Sequence, residues 1–189
     1  MDMARAPELW RDLFAMIGGS AGALVGLLFV VISLHLDRIA ERDDANMRVT
    51  VEGARNNTYH LLTVFIEAAL ILTPQPLVWA GAELVVINLF GLRLPIRIVR
   101  RYLRQGITIS ERGGFPTALI ATVIAAYLAG AAGGLALALS QDWGLYLVAA
   151  ACVAKVVRTV LTAWMLMFGM FQAPPASAAP LRARRARRR

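Results

Sequence analysis

The sequence predicts an all-α, polytopic membrane protein with about five transmembrane helices. Hydrophobic residues make up 58% of the chain and charged residues 17%, whereas roughly 25% of the residues in a soluble domain are charged. Long uncharged stretches recur along the chain, and each could cross a bilayer as a helix. The basic residues are concentrated in a few connecting segments. This composition excludes an ordinary soluble enzyme, whose surface would need more polar residues.

The first span is predicted at 13–36, which contains no charged residue. At about 1.5 Å per residue, this stretch can cross a hydrocarbon core of about 30 Å. The preceding segment, 1–12, mixes two arginines with three acidic residues, whereas a secretory signal peptide has a positive leader and a shorter apolar run. We therefore predict a retained first helix that follows a short outer segment.

The second and third spans are predicted at 57–73 and 77–92, on either side of Pro74-Gln75-Pro76. Because proline breaks helices and biases the preceding residue toward extended geometry, this pattern indicates a tight hairpin of antiparallel helices. The second helix is expected to begin before Tyr59, since the residues from Met47 onward also suit a helix.

A basic amphipathic helix is predicted at 93–105, with Pro95 marking its break from the third span. Five arginines share one side of the helical wheel and apolar residues occupy the other, as in helices that lie on a membrane surface. A pore vestibule for anions and a docking surface for a partner are the alternatives. The residues predicted to contact anionic lipids of the inner leaflet are Arg93, Arg97, Arg100, Arg101 and Arg104.

The last two spans are predicted at 117–139 and 144–171, joined by a short Ser140-Gln141-Asp142 turn. They complete a transmembrane domain that covers 13–171. The tail, 172–189, is rich in proline and alanine and ends in a run containing six arginines. We predict that the tail is disordered and tethered to anionic lipid, and we expect no nucleic-acid partner.

The basic residues also predict the orientation of the chain. With five spans, the amino terminus and the two hairpin turns share one side and carry two arginines. The other side receives four basic residues in the first loop, six in the second loop and six in the tail. Because cytoplasmic segments are enriched in lysine and arginine, the amino terminus is predicted outside and the carboxyl terminus in the cytoplasm.

Two of the predicted helices carry small residues at four-residue spacing. This spacing places them on one helical face, where a neighbouring backbone can approach closely. The two faces serve either tight packing within one subunit or a homo-oligomer seam or pore lining, and their presence leads us to expect a homo-oligomer. They consist of Gly18, Gly22 and Gly26 in the first helix and Ala126, Gly130 and Gly134 in the fourth.

Polar and charged residues inside the spans are the candidate functional group. A bare charge there costs about 2.5–3.5 kcal/mol on insertion scales, so such residues should pair or face water. Glu67 and Glu83 lie at equal height on the hairpin, and Lys155 and Arg158 share a face of the last helix. A neutral network of two acids and two bases is therefore predicted, with Asn88 as an added contact between helices or a pore-lining group.

Two interpretations of this network remain open. It either holds the second, third and fifth helices in register or lines an ion or proton path. On either interpretation, a Glu83→Gln substitution is expected to alter transport or assembly.

The sequence offers little enzyme chemistry. Cys152 is the single cysteine, which excludes an internal disulfide and a cysteine metal cluster. No metalloprotease, hydrolase or nucleotide-binding motif is present. His35 and His60 are expected to be hydrogen-bonded polar anchors rather than metal or haem ligands. We therefore expect no catalytic residue, metal or cofactor.

The stretch GGSAGALVGLLFVVISLHLDRI, together with ILTPQPLVWAGAELVVINLFGL, resembles a group of small bacterial multi-pass membrane proteins. The group is of largely unknown function, and some of its members are labelled modulators of the FtsH membrane protease. The resemblance covers roughly 10–105. It implies a bacterial inner-membrane protein, and no site residue is carried over from it.

The leading functional hypothesis is a non-enzymatic, channel-like or transport-related protein of the bacterial inner membrane, assembled as a homo-oligomer among anionic lipids. The alternative is a regulatory or scaffold protein whose partner is another membrane complex, such as a membrane-bound protease. A lipid-modifying enzyme is the third hypothesis.

Overall fold

Five helices account for nearly all of the described chain in the computed structural model, which describes residues 6–34, 45–104 and 115–172. No strand occurs in these ranges, which confirms the all-α fold class. The predicted disordered tail falls outside the described residues, except for Gln172, which still belongs to the last helix. The helices are α1 (Ala6–Leu34), α2 (Ala45–Leu72), α3 (Leu77–Arg104), α4 (Phe115–Ala138) and α5 (Gly144–Gln172).

Four of these helices, α1, α3, α4 and α5, are long and apolar enough to cross a membrane. Large apolar side chains on them are exposed; Phe29 is 72% exposed and Val86 is 67% exposed. Apolar surface of this extent suits lipid rather than water. The chain is therefore a multi-pass, membrane-embedded protein.

Helix α2 does not belong to these four. Its polar side chains are directed into the protein, where Asn57, His60 and Glu67 are buried. The helix packs against α1, α3 and α5 and is joined to α3 by 73–76 alone. We therefore expect α2 to cross the membrane with its neighbours, and the five-span count and the orientation stay predictions.

Consecutive helices run antiparallel. Helix α2 packs against α1, α3 and α5, and helix α5 packs against α1, α2 and α4. The most extensive contact joins α3 to α4, followed by those of α4 with α5 and α1 with α2. The apolar core lies where α2 meets α1 and α5, and it includes Phe14, Leu61, Val64, Leu145 and Val148. The early start of α2, at Ala45, confirms the prediction that this helix begins before Tyr59.

The small-residue faces pack mainly within the chain. A Cβ atom on Gly18 would lie 3.0 Å from that of Ala68 in α2, and one on Gly22 would lie 3.6 Å from the Phe65 ring. Gly130 and Gly134 contact α3, and Ala126 is buried. Gly26 is exposed, and a Cβ atom added to it would meet no other part of the protein within 4 Å. These contacts favour packing inside one subunit, and the homo-oligomer stays a prediction.

Helix α3 continues through Pro95 without a break, so the prediction that Pro95 separates a basic surface helix from the third span is wrong. Proline removes one backbone hydrogen bond and crowds the carbonyl four residues earlier, at a cost of about 3 kcal/mol. Pro95 is buried in the bundle. A proline often kinks a helix without ending it, and here the packing of the helix on both sides of Pro95 offsets the local cost.

Helix α4 ends in a backbone cap at Ser140, which has a φ of 59°. The Gln141 amide donates to the Ala136 carbonyl at 2.8 Å, and the Ser140 amide donates to the Leu137 carbonyl at 2.9 Å. This pair of bonds is the Schellman arrangement, in which glycine is the preferred residue at the left-handed position. Serine therefore carries conformational strain in the turn between α4 and α5.

Replacing Ser140 with glycine is expected to raise the free energy of unfolding by about 1 kcal/mol, because glycine adopts a positive φ without a steric cost. Thermal unfolding of the purified protein in detergent, followed by circular dichroism, measures the change. Gln141→Gly is the matched control, since Gln141 does not have a positive φ and should lose stability. Equal shifts in the two variants would contradict the strain at Ser140.

One end of the bundle carries several aromatic residues. Three of the four tryptophans lie near the starts of α1, α3 and α5, and these are Trp10, Trp79 and Trp143. The Trp10 ring meets the Tyr146 ring edge-on, with 4.6 Å between the centroids, so the starts of α1 and α5 lie at the same end. Tryptophan and tyrosine concentrate at membrane interfaces. We therefore expect this end to lie at one surface of the bilayer.

Candidate functional site

A buried ion pair joins α2 to α5 at the centre of the bundle. Lys155 Nζ lies 2.5 Å from Glu67 Oε1, and the two residues are 1% and 0% exposed. The predicted pairing of Glu67 with Lys155 is therefore confirmed. Ions buried this deeply are held only where their remaining hydrogen-bonding groups also find partners.

The Lys155 ammonium has partners on three other helices. Besides Glu67, it donates to Asn88 Oδ1 of α3 at 2.8 Å. It also lies 4.4 Å from the centroid of the Tyr127 ring of α4, within the range of a cation–π interaction. Lys155 thus links its own helix to α2, α3 and α4. We refer to Glu67, Asn88, Tyr127 and Lys155 as the central network.

The two acceptor groups of the central network make further bonds. Glu67 Oε2 accepts a hydrogen bond from the Cys152 thiol at 3.1 Å, so both carboxylate oxygens are engaged. Asn88 donates its amide to the Leu84 carbonyl at 2.9 Å, which leaves its oxygen directed at Lys155. Cys152 and Lys155 are three residues apart and share a face of α5.

Glycines make room for the polar side chains of α3 and α4. A Cβ atom on Gly130 would collide with the Asn88 amide, and one on Gly91 would collide with the Tyr127 ring. Asn88 and Tyr127 therefore each lie over a glycine of the opposite helix. Gly130, one of the small residues noted on the fourth helix, thus makes room for Asn88 in the central network.

His60 extends the network toward the other end of α2. Its Nδ1 atom lies 2.7 Å from the Tyr127 hydroxyl oxygen, and the bond is buried. This contact confirms the prediction that His60 is a hydrogen-bonded anchor, whereas His35 lies outside the described residues. No group of three or more metal-ligating side chains occurs among the residues the structure describes.

Arg158 is buried near the same end, but it forms no ion pair with the described residues. It is 8% exposed, and its Nε and Nη1 atoms lack hydrogen-bond partners, as does Asn57 Nδ2 across the interface. Thr162 joins the two, since its hydroxyl lies 2.8 Å from Asn57 Oδ1 and 3.0 Å from the Arg158 carbonyl oxygen. Asn56 Oδ1 also lacks a partner.

Glu83 lies outside the central network, so its predicted pairing with the buried cations is wrong. It is exposed, and its carboxylate accepts a hydrogen bond from Gln75 Nε2 at 3.0 Å. Glu83 precedes Asn88 by five residues, which places the two side chains about 140° apart around α3. Glu67 and Glu83 therefore lie on different faces of the bundle although the sequence places them at the same height. The buried set has two bases but only one acid, so it is not neutral as predicted.

The basic face of α3 is partly described. Arg93, Arg97 and Arg100 are exposed, and the Arg93 guanidinium lies 4.9 Å from the centroid of the Phe90 ring. The side chains of Arg101 and Arg104 lie outside the described residues. Contact of these arginines with anionic lipid stays a prediction.

Sequence reasoning missed the roles of Tyr127, Cys152 and Asn57. Tyr127 and Cys152 are each a single polar or weakly polar residue in an apolar run, whereas Asn57 is one of several polar residues in a row. None of the three has its partner nearby in the sequence. One available signal was the helical spacing between Cys152 and Lys155, which places the thiol on the face that carries the buried ammonium.

The fold and the central network define a class, a multi-pass membrane protein with charged groups buried between its helices. No protein-family model matches the chain, and neither a curated protein nor a solved structure matches it. The resemblance to bacterial membrane proteins with the FtsH-modulator label therefore stays a prediction.

Proposed function

We propose that this protein is a transport-related, channel-like protein of a bacterial inner membrane, and that its central network lies on the path of an ion or proton. The observation that carries the proposal is the imbalance of buried charge. Among the described residues, one buried carboxylate, Glu67, accompanies two buried cations, Lys155 and Arg158. Ionisable groups held within a membrane protein commonly mark ion pathways.

A purely structural clamp accounts for only part of this arrangement. A balanced ion pair can hold helices in register, and apolar residues of similar volume often replace it without loss. Arg158 forms no ion pair among the described residues. Burying its guanidinium therefore costs desolvation energy without linking two helices through an ion pair. The buried charge of Arg158 therefore supports a role in moving or binding ions.

Flux through proteoliposomes tests the proposal. The experiment imposes proton, potassium or chloride gradients and compares wild type with Glu67→Gln/Lys155→Met, which removes both charges at similar volume. We expect wild type to conduct at least one of these ions and the double variant to lose at least 90% of that flux. Because Glu83 is exposed and lies outside the network, the sequence-based expectation that Glu83→Gln alters transport or assembly no longer holds. Glu83→Gln is therefore the matched control and should conduct like wild type.

Two results would overturn the transport proposal. One is wild-type flux no higher than that of protein-free liposomes for any of the three ions. The other is full flux in a folded double variant, since a path that needs the central network cannot persist without its charges.

A regulatory or scaffold role is the second candidate. The observation that favours it is that the Lys155 ammonium is satisfied entirely by residues of its own chain. Such a network can rigidify a bundle that presents a fixed surface to another membrane protein. Wild type without flux, together with a central network that is needed for stability, would favour this candidate over transport.

A further inference from the structure

We propose that Arg158 and Asn57 form a binding site for a small anion between α2 and α5. The proposal rests on the proposed transport function for the claim that the anion moves through the protein, and it deepens that function by naming the class of ion. Binding itself is independent of transport. The starting point is the charge of the interior, where Glu67 balances Lys155 and no carboxylate among the described residues pairs with Arg158.

The unsatisfied nitrogens at this position are all hydrogen-bond donors. Arg158 leaves Nε and Nη1 without partners, and Asn57 leaves Nδ2 without one. Thr162 bonds to the Asn57 amide oxygen and to the Arg158 backbone carbonyl, so Asn57 of α2 lies against the turn of α5 that begins at Arg158. Buried donors that lack protein partners need an acceptor, and a permanently charged guanidinium favours a negatively charged one.

Nearby groups do not neutralise the charge of Arg158. Lys155 precedes Arg158 by three residues on the same face of α5. The Glu67 carboxylate is occupied by Lys155 and Cys152 and so is not available to Arg158. The site therefore combines a formal positive charge with unpaired donors, which is the chemistry of anion recognition.

The burial of the site limits the size of its ligand. Both Arg158 and Asn57 are more than nine-tenths buried, which favours a small ligand. Halides and small oxyanions satisfy these limits, and a lipid phosphate group offers the same chemistry from a second source.

Thermal unfolding of the whole protein in maltoside micelles tests the binding. Samples contain sodium gluconate, chloride, nitrate or phosphate at equal sodium concentration. We expect Tm to rise saturably with at least one small anion relative to gluconate. At a concentration 100 times Kd the rise should be about 5–10 °C for a chain of this length. A Tm that is the same in all four salts would overturn the proposal.

Variants locate the effect. Arg158→Met should abolish the dependence of Tm on the anion, whereas the exposed Arg55→Met, with the same change of charge, should keep it. Asn57→Asp supplies a carboxylate beside Arg158, so it should unfold in gluconate at or above the wild-type Tm and respond to no anion. Asn57→Asp keeps the test decisive if Arg158→Met does not fold. An undiminished anion response in either site variant would overturn the assignment.

Two further comparisons identify the source of the anion and separate binding from transport. A rise in Tm with free phosphate in the absence of lipid indicates an inorganic ion, and a rise only with phosphatidylglycerol in the micelles indicates a lipid phosphate; both support the site. An anion-dependent Tm in a protein without flux leaves the site standing and removes transport. Flux without any anion-dependent Tm removes the site and leaves transport standing.

Discussion

Glu67→Gln is expected to lower the free energy of unfolding by about 3–5 kcal/mol, because it leaves the buried Lys155 ammonium without its carboxylate. Glutamine has nearly the same shape as glutamate, so the packing of α2 is unchanged and the loss reports the charge. Lys155→Met is expected to cost a similar amount by leaving Glu67 unpaired. Reversible unfolding in mixed detergent micelles, followed by circular dichroism, measures both.

The double variant Glu67→Gln/Lys155→Met should recover most of the lost stability, since neutral groups of similar volume often replace a buried ion pair without cost. The resulting cycle measures the coupling between the two residues. Glu83→Gln serves as the control and should stay within about 0.5 kcal/mol of wild type. Single losses below about 1 kcal/mol, or a double variant whose loss is the sum of the singles, would contradict the pairing.

Gly81→Ala is expected to destabilise the contact between α3 and α4 by about 3 kcal/mol, at the upper end of the usual cost of overpacking. The new methyl carbon would lie 2.5 Å from the Ala138 backbone nitrogen and 2.6 Å from the Gly134 carbonyl oxygen. Backbone atoms cannot move away by changing rotamer, so the two helices must separate. Separation would also disturb Asn88, which lies over Gly130 in the same interface.

Gly26→Ala provides the comparison. Nothing lies within 4 Å of a Cβ atom at this position, and alanine favours the helix over glycine by about 1 kcal/mol. We expect unchanged or slightly raised stability, again measured by unfolding in micelles. If Gly26→Ala were as harmful as Gly81→Ala, the loss would come from glycine removal in general rather than from the α3–α4 contact.

The sequence was sufficient to predict the helices because their signals are local. Apolar length, the two prolines before Leu77 and the short turn after Leu139 each act within a few residues of where they occur. The pairing of Glu67 with Lys155 was also predictable, since a charge in a span needs a partner and few are available.

The predictions that failed depended on orientation or on competing energies. Glu83 lies at the same height along the hairpin as Glu67, but its angle around α3 directs it outward. The sequence was read for height and not for this angle. Pro95 carries a local cost that a helix can absorb when it is packed. The bond between His60 and Tyr127 joins residues 67 positions apart, and only the contacts among the helices bring such a pair together.

The separation of 88 positions between Glu67 and Lys155 has a consequence for how the chain is made. Synthesis proceeds at roughly 5–20 residues per second, so Lys155 follows Glu67 by roughly 4–18 s. During that interval α1, α2 and α3 exist without the ammonium that Glu67 contacts in the finished protein. The nascent hairpin must therefore hold or shield this side chain by other means, and the bundle completes its centre only after its last helix has emerged.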